Sequence, residues 1–278
     1  MATPAGAYRR ILPAALLLGA TAACASAPPR VVSSSRIKAR PVARVDWIHG
    51  WESALATATA VMERELGIPR FEVVVHLYPG RQAFEQALVA GGYRADFARD
   101  TAATLTAIGG HRAVLINAAK LDSAPWERRL ALLAHEVAHS LQYELGGGRR
   151  GTSDQWLREG FAEWVSLRVL ERLDAGTVDE ARRRVRLALR GGRGESLPPL
   201  AAMVTFPQWV ALGQGPHRAV IYDQAFAAVD FLIRRHGAGK AVRYFELFSG
   251  SQDRLENFRA AFGEDPSTFE QAFRADLR

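Results

Sequence analysis

The chain has 278 residues, 48% of them apolar and 23% charged, with seven His, one Cys and a formal net charge of +7. That balance describes a chain able to bury a full core without help from a metal, and it excludes a disordered polymer, a collagen and a polytopic membrane protein; the lone Cys excludes an internal disulfide framework and a multi-Cys zinc finger. The positive charge is mostly Arg, scattered through every segment with only Lys38, Lys120 and Lys240 as lysines, so it marks no nucleic-acid surface.

Taken in chain order, Arg9 and Arg10 precede an uncharged run from Ile11 to Ala23 that is rich in Leu and Ala. The run is too short to span a bilayer as a helix, and it suits the apolar stretch of an export signal. It ends in Thr21-Ala22-Ala23-Cys24, which resembles the lipobox of bacterial lipoproteins, whose Cys is lipidated and becomes the new N-terminus; Thr21 departs from the aliphatic residue usual at that position. The resemblance implies residues 1–23 as a signal peptide, a lipid anchor at Cys24 with a membrane as partner, and a body on the periplasmic or cell-surface side. Plain cleavage near Ala25 or Ala27 is the alternative, and it places the body on the same side. Residues 24–45, rich in Ala, Pro, Ser and Arg without apolar periodicity, read as a flexible tether.

Residues 46–278 have the pattern of a folded domain. Trp47, Trp51, Leu55, Ala58, Met62 and Leu66 recur at three- and four-residue spacing, which predicts an amphipathic helix closed by Gly67 and Pro69. Phe71 to Leu77 is a β-branched run ended by Pro79-Gly80 and predicts a strand, with a short helix at about 81–90 behind it. Thr104 to Ile108 and Ala113 to Ile116 flank Gly109-Gly110-His111-Arg112, which predicts a β-hairpin. Beyond it the signals are helical: roughly 125–145, 154–174, 177–190, 217–236, 238–248, 254–262 and 267–276. The expected class is therefore α+β, with a small sheet in 46–120 and a mainly helical body in 121–278.

The helix at 125–145 carries His135-Glu136-Val137-Ala138-His139. Two His at i and i+4 share a face and can converge on one Zn²⁺, while Glu136 lies beside them as a base for an attacking water. Leu130, Leu133, Val137 and Leu141 form the stripe that buries the helix, and a dry site is where zinc acidifies water best. Catalytic zinc takes three protein ligands and an open position. The third is expected from Glu159, which follows His139 after 19 intervening residues on the next long helix, beyond the Gly146-Gly147-Gly148 turn. Glu163, one turn further on the same face, can accept a hydrogen bond from the far nitrogen of a ligating His.

On these residues the chain resembles the gluzincin metallopeptidases, the peptidase MA-like group that includes thermolysin and the aminopeptidase N family. The resemblance implies a zincin-like fold, His135, His139 and Glu159 as ligands of one catalytic Zn²⁺, Glu136 as general base, and a peptide or protein substrate. The phrase Leu157-Arg158-Glu159-Gly160-Phe161-Ala162-Glu163 is similar to the aminopeptidase branch around its ligand Glu, whereas the 19-residue gap is similar to thermolysin. Tyr222 resembles the Tyr with which the aminopeptidase branch stabilises the oxyanion; His217 is the competitor, because thermolysin-like enzymes use a His there.

One departure narrows the expected activity. Aminopeptidases of this group carry Gly-Xaa-Met-Glu-Asn upstream of the motif, whose Glu grips a free amino terminus, and here the stretch is Gly109-Gly110-His111-Arg112-Ala113. With Arg in place of a carboxylate, endopeptidase-like cleavage is expected, the strand at 113–116 pairing with an extended substrate. His49, His76, His111 and His236 have no partners at ligand spacing and read as ordinary surface or core histidines. The cationic face of Arg182, Arg183, Arg184, Arg186, Arg190 and Arg193 is ordinarily solvated, though beside a lipid anchor it could rest on anionic head groups. A non-catalytic metal-binding or envelope-structural protein on the same fold is the rival class. The intact Glu136 argues against it, since holding a metal does not need that residue.

Overall fold

A computed structural model describes residues 27–190, 197–214 and 217–278. Cys24, the signal segment 1–23 and Arg193 lie outside the described residues. The class is mixed, as expected: a four-stranded sheet and eleven α-helices among the described residues.

The strands are β1 (Arg30–Ser33), β2 (Val74–Tyr78), β3 (Ala107–Gly110) and β4 (Ala113–Asn117). Their order is β1-β2-β4-β3, with β2 and β4 parallel and both outer pairs antiparallel. A parallel pair needs a crossover, and α2 (Arg81–Ala90) with α3 (Ala95–Thr104) provides it. Side chains alternate across the sheet. Val75, Leu77, Val114 and Ile116 enter the main core beneath it. Tyr78, Ile108 and Leu115 meet Phe84, Leu88, Ala98 and Ala102 of the crossover helices above it.

Three expectations about the front end are corrected here. Residues 30–33 of the expected tether form β1, with Val32 and Ser34 buried. The Ser34 hydroxyl accepts from the Val73 amide at 2.9 Å, so the segment is a sheet edge. In the hairpin, the turn is shorter than expected: Gly109 and Gly110 belong to β3, and His111-Arg112 alone make the turn, with Arg112 at φ 54°. Trp47, expected in the apolar stripe of the first helix, is 53% exposed on a short turn before α1 (Trp51–Leu66).

The helical body is built around α4 (Trp126–Leu145), α5 (Gln155–Arg172) and α8 (His217–His236). On α4 the residues Leu130, Leu133, Ala134, Val137, Ala138 and Leu141 are fully buried at helical spacing, which fixes the rotation of its motif. Helix α5 lies between α4 and α8 and is buried on nearly every side over Gln155–Ala162. Gly160 permits this, because a Cβ there would stand 2.2 Å from the Ala225 carbonyl oxygen of α8. Around these pack α6 (Val178–Ala188), α7 (Phe206–Leu212), α9 (Ala238–Leu247), α10 (Arg254–Phe262) and α11 (Pro266–Leu277). No described helix is long and apolar enough to cross a membrane.

Candidate metal centre

The stripe that buries α4 leaves His135, Glu136 and His139 on the flank facing α5 and β3. Their side chains converge with Glu159: His135 Nε2 and His139 Nε2 are 3.2 Å apart, and Glu159 Oε2 lies 3.4 Å from the first and 3.6 Å from the second. A tetrahedral ion with bonds of about 2.0–2.1 Å spaces its ligands about 3.3–3.4 Å apart. The three groups therefore form a ready triangle that could hold a metal ion.

What surrounds the triangle fixes which atoms face inward. The Gln142 side-chain oxygen lies 3.0 Å from His139 Nδ1, and Gln142 donates through its amide nitrogen to the Arg158 carbonyl at 2.8 Å. With the amide so oriented, His139 must donate from Nδ1, which turns the Nε2 lone pair toward the triangle. Glu163 Oε2 lies 3.4 Å from His135 Nδ1 and favours the same tautomer there. Two lone pairs and a carboxylate then point at one spot, an arrangement that calls for a cation. The electrostatics agree. Burial alone would push His135 down, but Glu159, Glu163 and Glu136 outweigh it and hold the ring well above the usual histidine range. Burial likewise raises the Glu159 carboxyl, yet His139 and His135 hold it well below the usual range.

Glu136 is itself buried and lies between His135 and His139 on the chain. Tyr222 on α8 packs its ring edge-on to Trp209 of α7 at 4.9 Å. Burial raises its phenol above the usual range and the charges of Glu159 and Glu136 add to the shift, while Arg218 and a hydrogen bond with Trp209 oppose it, so the hydroxyl stays protonated within the field of both carboxylates. His217, the first residue of α8, is exposed to solvent. That arrangement favours Tyr222 over His217 as the group beside the centre.

Strand β3 crosses over the motif. A Cβ on Gly109 would fall 2.3 Å from the Glu136 carbonyl oxygen and 2.9 Å from His139 Cβ, so only Gly lets the strand lie this close to α4. Its outer side is one of the two sheet edges left unpaired among the described residues, and the one that lies against the motif. The expectation that 113–116 pairs with a substrate is thereby overturned: β4 is hydrogen-bonded to β2 on one side and β3 on the other. The edge beside the motif that is open for pairing among the described residues is β3. Arg112 forms a bidentate pair with Glu144 at 2.7 and 2.9 Å, and His111 Nε2 approaches the same carboxylate at 3.2 Å, which clamps the hairpin tip to the end of α4.

Of the other histidines, His76 is half-buried on the sheet, where burial lowers its pKa, His236 pairs with Glu264 at 2.7 Å, and His49 is exposed. Residue patterns gave no warning of Gln142 or of Gln155, whose Nε2 donates to Glu159 Oε1 at 2.6 Å. Each sits three or four positions from a member of the triangle on its own helix, and that spacing is the signal that could have found them. The Gln155 oxygen in turn accepts from Arg150, so a chain of donors sets the Glu159 carboxylate before any ion arrives. On α6, Arg182 pairs with Asp230 and Arg186 with Asp276, and just beyond it Arg190 donates to the Leu277 carbonyl. Much of that cationic face is thus tied to the body.

Compared with known proteins, the chain matches no family model, no curated protein and no solved structure.

Proposed function

We propose that the chain is a zinc-dependent metallopeptidase of gluzincin type, zincin-like in fold, exported and anchored to a membrane through Cys24, and acting as an endopeptidase. The observation that carries the reading is the His135–His139–Glu159 triangle beside Glu136 and beneath a free strand edge. Two imidazoles and one carboxylate with a side left open suit a catalytic zinc better than a structural one. Zinc held there supplies a Lewis acid for a carbonyl oxygen and lowers the pKa of water.

The chain's own groups divide the remaining work. An extended substrate pairs with β3, whose main chain is held against the motif. Glu136 takes the proton from the attacking water and passes it to the leaving amine. The Tyr222 hydroxyl donates to the carbonyl oxygen as negative charge grows there. Gln142 and Glu163 hold the imidazoles in one tautomer, and Gln155 holds Glu159. Arg112 is committed to Glu144, which leaves no carboxylate on the hairpin to grip a free α-amine and favours internal cleavage.

Metal analysis combined with digestion of a peptide library tests the reading. One zinc per chain is expected, with hydrolysis of N-terminally blocked peptides that falls about 10²–10⁴-fold in Glu136→Gln while the metal stays bound. Zinc without Glu136-dependent cleavage would leave a non-catalytic metal-binding protein. Strict dependence on a free α-amine would make it an aminopeptidase.

A further inference from the structure

Because β1 starts at Arg30, only residues 25–29 separate Cys24 from the sheet, a reach of about 20 Å at full extension. A lipid at Cys24 therefore brings the folded body itself to the bilayer surface. Next along the chain is the strap from β1 to α1. Along it Ile37 and Val42 pack on the core, and the Val42 amide donates to Thr57 Oγ1 of α1 at 3.0 Å. Arg36, Lys38 and Arg40 are exposed, and none of the three makes an ion pair with the described residues. Arg44 follows, and then Trp47, which at 53% exposure is one of the few large apolar side chains in solvent. The acidic residues nearby are Asp46, paired with Arg44, Glu52, paired with Arg30, and Glu72, which accepts from the Ser35 hydroxyl at 2.7 Å.

We propose that this strap, centred on Arg36, Lys38, Arg40 and Trp47, is a docking surface for anionic phospholipid. Unpaired cations match anionic head groups, and an exposed indole belongs at the depth where head group meets acyl chain. The strap is pinned to β1 and α1, so it holds the body in one orientation on the membrane where a loose tether would let it tumble. The α6 face is the weaker rival, since Arg182, Arg186 and Arg190 already serve the body. Docking does not depend on the peptidase reading, and Glu136→Gln binds vesicles as the parent chain does.

The test uses the chain from Ala25 onward, which contains every described residue and no lipid, in sedimentation with vesicles at 0.1 M salt. Binding is expected to vesicles of phosphatidylcholine with one third phosphatidylglycerol and not to phosphatidylcholine alone. At about fivefold per charge, Arg36→Ala/Lys38→Ala/Arg40→Ala lowers the affinity about a hundredfold, and 0.5 M salt abolishes it. Indole emission shifts to the blue on binding in the parent and not in Trp47→Phe. Unchanged melting of both variants shows that folding is not the cause, as expected for exposed side chains. Equal binding to both vesicle types, binding unaffected by the triple substitution, loss through Arg183→Ala/Arg184→Ala instead, or binding to duplex DNA in place of vesicles would each overturn the proposal.

Discussion

Two buried charged clusters lie five residues apart at the start of α5, and they are built in opposite ways. At Asp154 the polar groups satisfy one another: Arg254 donates to one carboxylate oxygen at 2.9 Å and Tyr244 to the other at 3.2 Å, while the Asp154 amide donates to the Tyr244 oxygen at 3.0 Å. The phenol is sealed beneath Phe245, Phe248, Phe258 and Phe262. At Glu159 the supporting groups act only from outside, and the two histidine lone pairs and Glu159 Oε2 face each other across 3.2–3.6 Å. A closed cluster needs nothing more and stabilises a helix junction. An open one stays short of one positive charge, and a metal site looks like this before the metal arrives.

The contrast can be broken at either end. The largest effect is expected from Arg254→Ala, which leaves Asp154 buried without its cation: about 3 kcal/mol of stability at pH 7 in denaturant unfolding, with the metal content unchanged. On the open side, Tyr222→Phe keeps the ring and removes the donor, and kcat on a blocked peptide is expected to fall about 10²–10³-fold with little change in KM. A loss below tenfold would remove Tyr222 from the reaction. The closed cluster also makes a pH prediction. Burial outweighs Arg254 and lifts the Asp154 carboxyl to about 6. The folded state then binds this proton more tightly than the unfolded state, so the stability the group contributes is full below about pH 4 and is lost as pH rises through 6. Measured against Asp154→Asn, the parent should lose up to about 3 kcal/mol between pH 4 and 7; a difference independent of pH would contradict that assignment. The smallest effect is expected at Gln142→Ala, about 10–100-fold in zinc affinity by competition with a chelator, because His139 keeps its place but loses the partner that sets its tautomer.

Most of the helical body was legible because α4, α5 and α8 bury large side chains at regular spacing. The motif on α4 and Glu159 on α5 could be read with them, since ligand geometry on a helix follows from sequence separation. Other parts carried weaker signals. Helix α3 buries only Ala98, Thr101 and Ala102, residues too small to mark a stripe. Strand β1 is four residues long inside a segment whose Pro, Ser and Arg resemble a linker, and its place is set by pairing with β2, far along the chain. Gly109-Gly110 misled for a physical reason: the Gly that usually signals a turn is used here for close packing against α4. The order of β3 and β4 within the sheet, which decides the available edge, is a long-range property that no local pattern encodes.

The contact between Gly109 and α4 has a bearing on selectivity. Strand and helix meet there backbone to backbone, so the spacing between the sheet edge and the motif is set by peptide dimensions, with no rotamer able to lengthen or shorten it. A polypeptide lying along that edge would be gauged by its main chain, which every sequence has in common. Preference for one residue over another would then be written by side chains away from this contact, which can be exchanged without moving the gauge.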